Sequence, residues 1–414
     1  AILYRLVGSE MCIRDSVTIA PNGAMFKRDK QGFLPELMEK MYTERVVYKK
    51  KAIEAKKEFQ KTKDPIYSNE ISRCHNIQMA KKISLNSAYG AIGNQYFRYF
   101  DVKQAEAITL GGQLSIRWVE RDVNRFMNKL LGTDNKNYVV ASDTDSIYLK
   151  LDTLVEKVCK GKSTKQIVEF LNKAAEDKIQ KVIDDSYQNL AHYVNAYQQK
   201  MIMKREAIAN KGIWVAKKRY MMNVFDEEGV QYDIPKLKIM GVEAVKSSTP
   251  EVCRGKIKDA IRVIMNDSED ALIKFVNDFK EVFKTLSPEE VAFPRSCNNI
   301  DKYVDSNSIY KKGTPIHVKG ALIYNHNINK HRLSAKYPII KDGDKIKFLM
   351  LKQPNTVKDT VISFSTKIPY EFDLHKYVDY DTQFEKTFTD PLKFILDSIG
   401  WKLEREATLE AFFG

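Results

Sequence analysis

Residues 82–90, KISLNSAYG, carry a polar stripe on a predicted helix. Lys82, Asn86 and Tyr89 stand at positions i, i+4 and i+7, so their side chains share one face of that helix. A cation, an amide and an aromatic ring on one face could engage a triphosphate, a sugar and a base. A solvated helix face is the alternative interpretation of the same pattern.

This helix is the second of a predicted helical hairpin. Strong helix formers fill residues 34–60, a turn with Asp-Pro as its breaker is predicted at 61–70, and a second helix is predicted at 71–89. Arg45 and Lys49 stand at i and i+4 on the first helix, which would bring two more cations to the same cleft.

A pair of carboxylates follows in VVASDTDSIYLKL, residues 139–151. Two short apolar runs predict a β-hairpin, in which Asp143 and Asp145 would point the same way and face one ion. Oxygen-only ligands favour Mg²⁺ or Mn²⁺ over zinc. Alone, the motif also fits a solvated turn or the sugar-nucleotide site of a glycosyltransferase, but a glycosyltransferase does not explain the stripe at Lys82.

The charge balance indicates a polyanionic partner. The 414 residues include 68 Lys and Arg against 54 Asp and Glu, a formal net charge of +14, and such an excess is typical of nucleic-acid binding. The five cysteines never form CxxC, so neither a disulfide framework nor a zinc knuckle is predicted. No apolar run approaches 18 residues, so no membrane span is expected.

The predicted fold class is α+β. Helices are predicted at 105–131 and 165–200, two strands at 213–232 around the acidic turn Asp226–Gly229, and a mainly helical region from about residue 245. The apolar side of the helix at 105–131 is predicted to carry Ile116, Val119, Val123, Phe126 and Leu130.

Several motifs in one order resemble those of family B DNA polymerases. KKISLNSAYGAIGN (81–94) is similar to the family's Kx₃NSxYG motif, SDTDS (142–146) to its DTDS metal motif, and KKRY (217–220) to its primer–template motif. The likeness is closest to the replicative polymerases of contractile-tailed bacteriophages and extends from about Val17 to the C-terminus.

The resemblance implies a right-hand architecture with the exonuclease and N-terminal domains absent. The fingers would be residues 32–94, the palm 95–241 and the thumb 242–414, with 17–31 a remnant of the palm. The expected setting is phage DNA replication in the cytoplasm of an infected bacterium, with primer–template DNA and dNTPs as partners.

The resemblance also implies roles for individual residues. Arg45, Lys49 and Lys82 would grip the incoming triphosphate, and Asn86 and Tyr89 would line the nascent base-pair pocket.

Two Mg²⁺ ions, or Mn²⁺, are expected in nucleotidyl transfer to a primer 3′-hydroxyl. Asp145 would be a direct metal ligand and Asp143 would tune the coordination. Glu206, in REA, matches an auxiliary carboxylate of the palm. The primer strand would be contacted by Lys217, Lys218, Arg219 and Tyr220.

The last residues, ATLEAFFG (407–414), place Leu409, Phe412 and Phe413 on one helical turn. A packed terminal helix is one interpretation. The resemblance implies a sliding-clamp-binding tail, because such apolar anchors dock in grooves.

The sequence departs from the family in one serious respect. The first palm motif, an Asp followed by a Ser-Leu-Tyr-Pro-Ser type run, occurs nowhere in the chain. We therefore expect a C-terminal fragment that binds primer–template but does not extend it. A non-catalytic, polymerase-derived DNA-binding protein is the alternative. Residues 1–16, AILYRLVGSEMCIRDS, lack the order of a signal peptide and resemble translated sequencing-adapter read-through, so we expect that segment to be non-native.

Overall fold

The computed structural model describes residues 16–306 and 308–403. They divide into two compact units: one holds the residues up to Ile208 with Phe225–Ile234, the other Ala209–Val224 and the residues from Pro235 onward. Long helices combine with small sheets of two or three strands, which confirms the α+β class. The division into fingers, palm and thumb stays a prediction. Within the described ranges no helix is long and apolar enough to cross a bilayer.

The predicted helical hairpin is confirmed, with longer helices than expected. Helix α1 spans Phe33–Thr62 and α2 spans Pro65–Ile92. The Asp-Pro pair does not form the turn predicted at residues 61–70, because the second helix already begins at Pro65. The side chain of Asp64 accepts a hydrogen bond from the Ile66 N–H at 2.9 Å and so caps α2, while Pro65 sits in its first turn. Because proline has no N–H to leave unsatisfied there, the pair starts a helix rather than extending a turn.

Helix α3 spans Val102–Leu131, close to the predicted bounds, but its buried face is rotated from the predicted one. Leu130 is exposed and Met127 is fully buried. The buried stripe follows i, i+4 spacing through Ser115, Val119, Val123, Met127 and Leu131.

Apart from Phe225–Ile234, the rest of the first unit is built from two β-hairpins and three helices. The hairpin β1–β2 precedes α1, and the predicted hairpin β3–β4 follows α3. One turn of π-helix, Ala175–Ile179, joins the last two helices. The bounds are β1 Val17–Ile19, β2 Met25–Lys27, β3 Val139–Asp143, β4 Ser146–Leu149, α4 Asp152–Val158, α5 Thr164–Ala174 and α6 Gln180–Tyr193.

Residues 207–240 form three strands in the order β5-β6-β7, where two were predicted. These are β5 Ala207–Ala216, β6 Arg219–Glu227 and β7 Val230–Met240. The missed boundary is the two-residue turn at Lys217 and Lys218. Lys218 adopts a left-handed backbone, φ 62°, and so reverses the chain without a glycine.

From about residue 245 onward helices outnumber strands, but this part of the second unit also contains an unpredicted sheet of order β10-β9-β8. Helix α10 lies on strand β10, and Gly320 allows this because a Cβ there would lie 2.5 Å from the Ser363 Oγ. The bounds are α7 Glu251–Asn266, α8 Glu269–Lys284, α9 Pro288–Val291, β8 Phe293–Ser296, α10 Ile316–Lys330, β9 Lys345–Met350, β10 Val361–Phe364, α11 Tyr380–Phe384 and α12 Asp390–Leu396.

Candidate active site

The two predicted metal-binding aspartates lie at a tight turn, Asp143 just before it and Asp145 within it. Strand β3 ends at Asp143 and β4 begins at Ser146, so only Thr144 and Asp145 make the turn. The Asp145 N–H donates to the Asp143 carbonyl oxygen at 2.6 Å, and the Ser146 Oγ donates to the same oxygen at 3.1 Å. Thr144 has φ 54°, a conformation strained for a β-branched residue and typical of functional sites.

Helices α3 and α6 support this turn. The Asn124 side-chain oxygen accepts hydrogen bonds from the backbone N–H groups of Tyr138 and Val139, at 2.8 and 3.1 Å, and so anchors the start of β3. Tyr187 of α6 is buried, and burial together with the charge of Asp145 raises the pKa of its phenol. The phenol of Tyr187 is therefore close enough to Asp145 for the carboxylate charge to favour its neutral form.

The donor chemistry of the turn suits a hard divalent cation. Carboxylate oxygens are the ligands that Mg²⁺ and Mn²⁺ prefer, and Mg²⁺ is commonly held by one or two carboxylates completed by phosphate oxygens and water. Asp143 and Asp145 fit that requirement. Across residues 16–306 and 308–403, no group of three or more His, Cys, Asp or Glu side chains is placed to hold a metal.

An ion pair between the two helices sets the register of the cationic hairpin. Glu44 of α1 pairs with Lys81 of α2. Because the helices run antiparallel, the next residue of each, Arg45 and Lys82, steps away from that pair in opposite directions along the hairpin. The Nε of Arg45 is buried and has no hydrogen-bond partner among the described residues. The two predicted phosphate-binding cations therefore lie on either side of the Glu44–Lys81 pair in the same hairpin.

The predicted nucleotide-binding residues differ in their exposure and in their contacts. Lys82, Asn86 and Tyr89 are exposed along α2, as the spacing predicts. Lys49 is instead engaged in an ion pair with Glu228, in the turn between β6 and β7. The sequence showed that turn to be acidic but gave no sign of its partner.

The β6–β7 turn is fixed by hydrogen bonds to its backbone. Glu228 and Gly229 both have positive φ, 53° and 83°, which is the pattern of a type I′ turn. The Glu228 N–H donates to the Glu206 carbonyl oxygen at 2.7 Å, and the Gly229 N–H donates to the Asp226 carboxylate at 2.9 Å. Asp226 is 1% exposed and pairs with Arg205. Glu206 itself is exposed just before β5.

The KKRY motif is divided between surface and interior of the second unit. Lys217 and Lys218 are exposed at the β5–β6 turn. Arg219 pairs with Glu243 at 2.5 Å, and its guanidinium lies 4.5 Å from the ring centre of Phe394. The remaining member, Tyr220, is 7% exposed and stacks on Trp214 with ring centres 5.9 Å apart.

Gly241 lies against the KKRY turn, which sequence reasoning missed. Its φ is +67°, and a Cβ there would overlap the carbonyl oxygen of Lys218. Glycine before a charged segment is a common loop signal, so nothing in the sequence singled it out. The predicted clamp-binding residues Leu409, Phe412 and Phe413 lie outside the described residues.

Comparisons with known proteins agree on one family. The model of "DNA polymerase family B" matches residues 7–399. The DNA-directed DNA polymerase of Enterobacteria phage T4 is 32% identical, covering 97% of this chain and 50% of that protein. The corresponding enzyme of Escherichia phage RB69 is also 32% identical, covering 96% of this chain and 50% of that protein.

A more distant relative is DNA polymerase 1 of Pyrococcus abyssi, 27% identical over 93% of this chain and 42% of that protein. The chain spans about half the length of the curated phage relatives it matches. Since the family match covers nearly the whole sequence and the carboxylate turn and cationic hairpin carry that family's motifs, the chain belongs to DNA polymerase family B.

Proposed function

We propose that this chain is the nucleotidyl-transfer part of a phage-type replicative DNA polymerase. It would add dNTPs to a primer 3′-hydroxyl under the direction of a template, in an infected bacterial cytoplasm. The observation that carries the proposal is that the Asp143–Asp145 turn and the helical hairpin that carries Arg45 and Lys82 belong to the same compact unit. The likeness to two phage polymerases supports the reaction class.

The hairpin would bind the nucleotide. Arg45, Lys49 and Lys82 would hold the triphosphate, since cations on a rigid helix pair offset the charge that develops on a leaving pyrophosphate. Asn86 and Tyr89, further along the exposed face of α2, would meet the sugar and base.

The carboxylate turn would hold the metal. Asp145 and Asp143 would supply oxygen ligands, and two divalent ions, when bound, activate the attacking hydroxyl and stabilise the leaving group. Lys217 and Lys218 would contact backbone phosphates of the primer–template duplex. Arg219 and Tyr220 would act by fixing that turn, which fits their packing against Glu243 and Trp214.

The first test is nucleotide binding. Lys82→Ala should weaken dNTP binding about 10- to 100-fold, the value of a hydrogen bond to a charged group. Lys173→Ala, an exposed lysine of helix α5, removes the same charge and should change binding less than twofold. Equal effects of the two substitutions would contradict a triphosphate site on the hairpin.

The second test measures primer extension and primer–template binding on the same preparation of the protein. We propose that the chain alone binds DNA without extending it, because the first palm motif is not among its 414 residues. Extension above background would overturn that part, and failure to bind DNA would overturn the whole proposal. An upstream gene sequence without the motif would favour the alternative, a non-catalytic DNA-binding protein.

The clamp-binding role of residues 407–414 is a separate proposal that rests on the resemblance to phage polymerases and on the apolar residues of that segment. Deleting those residues should leave DNA binding unchanged and abolish binding of the purified sliding clamp. Clamp binding of equal strength with and without the segment would contradict it.

A further inference from the structure

The ion pair between Lys49 and Glu228 places a carboxylate on a lysine that is proposed to bind the triphosphate. The side chains are 43% and 25% exposed, so the pair is open to solvent and to a competing anion. This inference rests on the proposed function, because it concerns what occupies the phosphate-binding lysine when no nucleotide is present.

The backbone of Glu228 is an unusual place for glutamate. The first central position of a type I′ turn has positive φ and favours Asn, Asp or Gly. Glu228 adopts φ 53° there. A residue that keeps a left-handed backbone at a cost in free energy commonly does so because its side chain has a role. The only described ion pair of Glu228 is the one with Lys49.

The turn gives this carboxylate a fixed base. The Glu228 N–H is held by the Glu206 carbonyl and the Gly229 N–H by the buried Asp226. Lys57 covers the other side, since a Cβ on Gly229 would lie 3.2 Å from the Lys57 Nζ. With its backbone held on both sides, Glu228 is presented to α1 by a rigid support rather than by a mobile loop.

We propose that Glu228 is a placeholder that occupies Lys49 until a triphosphate displaces it. A triphosphate carries several negative charges and can engage Arg45 and Lys82 as well, so it exchanges one carboxylate contact for several phosphate contacts. A monophosphate cannot make all of those contacts. The pair therefore competes with every anion that binds Lys49, and a triphosphate offsets that competition through its contacts with the other two cations.

The test is binding of inorganic triphosphate and of inorganic phosphate by calorimetry, in metal-free buffer. Glu228→Gln should bind triphosphate about two- to fivefold more tightly, the range expected for loss of a partly exposed ion pair. Phosphate should gain by no more than the same factor, because it competes with Glu228 for the same lysine. Glu58→Gln, which removes a charge from α1 and frees only Lys61, should change neither affinity.

A double substitution separates this role from a structural one. In a Lys49→Ala background, Glu228→Gln should have no further effect on triphosphate affinity, since the competing lysine is gone. Glu228→Asn should relieve the turn and raise the unfolding midpoint, whereas Glu228→Gln should not. Unchanged or weaker triphosphate binding by Glu228→Gln, or a gain that persists without Lys49, would overturn the inference.

The same measurements tell the two proposals apart. If Lys82→Ala leaves triphosphate binding unchanged, the phosphate site on the hairpin is wrong. If Lys82→Ala weakens binding but Glu228→Gln changes nothing, the site stands and only the placeholder role fails.

Discussion

The carbonyl oxygen of Lys218 occupies the space that a Cβ on Gly241 would need. Both residues have left-handed backbones, φ 62° and 67°, so the KKRY turn and the residue after β7 fit together only with glycine at 241. The shape of a predicted DNA-contacting turn is therefore fixed by a residue outside its motif.

Gly241→Ala should destabilise the second unit by about 2–3 kcal/mol, because it adds a steric overlap to a left-handed conformation. Gly255→Ala is the matched control, since Gly255 lies inside helix α7 with no atom near its Cβ position. That control should stabilise by about 0.5–1 kcal/mol. Urea unfolding would measure both, and a Gly241→Ala protein as stable as the parent would show that the turn can move aside.

Replacing Lys217 and Lys218 together by alanine should reduce the salt dependence of DNA binding. Two lost phosphate contacts lower the slope of log K against log salt by about 2, with little change in sequence preference. Fluorescence anisotropy on one primer–template between low and moderate salt measures this slope. Lys160 and Lys162, exposed after α4, form the matched pair. If both double variants shift the slope equally, the KKRY turn has no special part in binding.

Asp226→Asn should cost about 3–5 kcal/mol, the usual result of removing one partner from a buried ion pair. Asp226 is almost fully buried against Arg205 and also accepts from the Gly229 N–H. Asp259→Asn breaks an exposed pair with Arg262 and should cost less than about 0.5 kcal/mol. Similar losses in chemical denaturation would mean that Arg205 finds another partner.

Stability should fall as the pH drops below about 6.5. Burial and the positive charge of Arg295 lower the pKa of the His317 imidazole, so the unfolded chain binds more protons than the folded one in that range. The contribution is present above the unfolded pKa and is lost as the pH falls through the lowered value. His317→Gln should flatten the dependence of unfolding free energy between pH 7.5 and 5. An unchanged slope in the His317→Gln protein would show that His317 is not the source of the dependence.

The elements that the sequence predicts well are those fixed by local chemistry. The DTD hairpin follows from two short apolar runs on either side of the aspartates, and the helical hairpin from helix formers around Asp64 and Pro65. The β5–β6 turn was missed because a lysine, not a glycine, takes the left-handed position. The conformation of this turn depends on Gly241, which is distant in sequence and therefore leaves no signal in the residues around the turn.

The residues of the candidate site also fall into a group whose placement local spacing predicts and a group whose placement it does not. Lys82, Asn86 and Tyr89 lie on one face because helical spacing puts them there. The burial of Tyr220 against Trp214 and the pairing of Lys49 with Glu228 depend on tertiary contacts between segments far apart in sequence. The sheet β8–β10 escaped prediction for a related reason, since its short strands pair across long connections and Phe293 faces Phe348 only in the folded chain.

The π-helical turn at Ala175–Ile179 has a consequence for how this protein can change over evolution. Deleting one residue there would restore a regular α-helix and leave α6 close to its present orientation, because the wide turn holds one residue more than an α-helical turn. Deleting one residue from the α-helical part of α5 would instead rotate α6 by about 100° and carry Tyr187 away from Asp145. Single-residue deletions should therefore be tolerated within Ala175–Ile179 and purged from the regular turns on either side in descendants that keep the carboxylate turn.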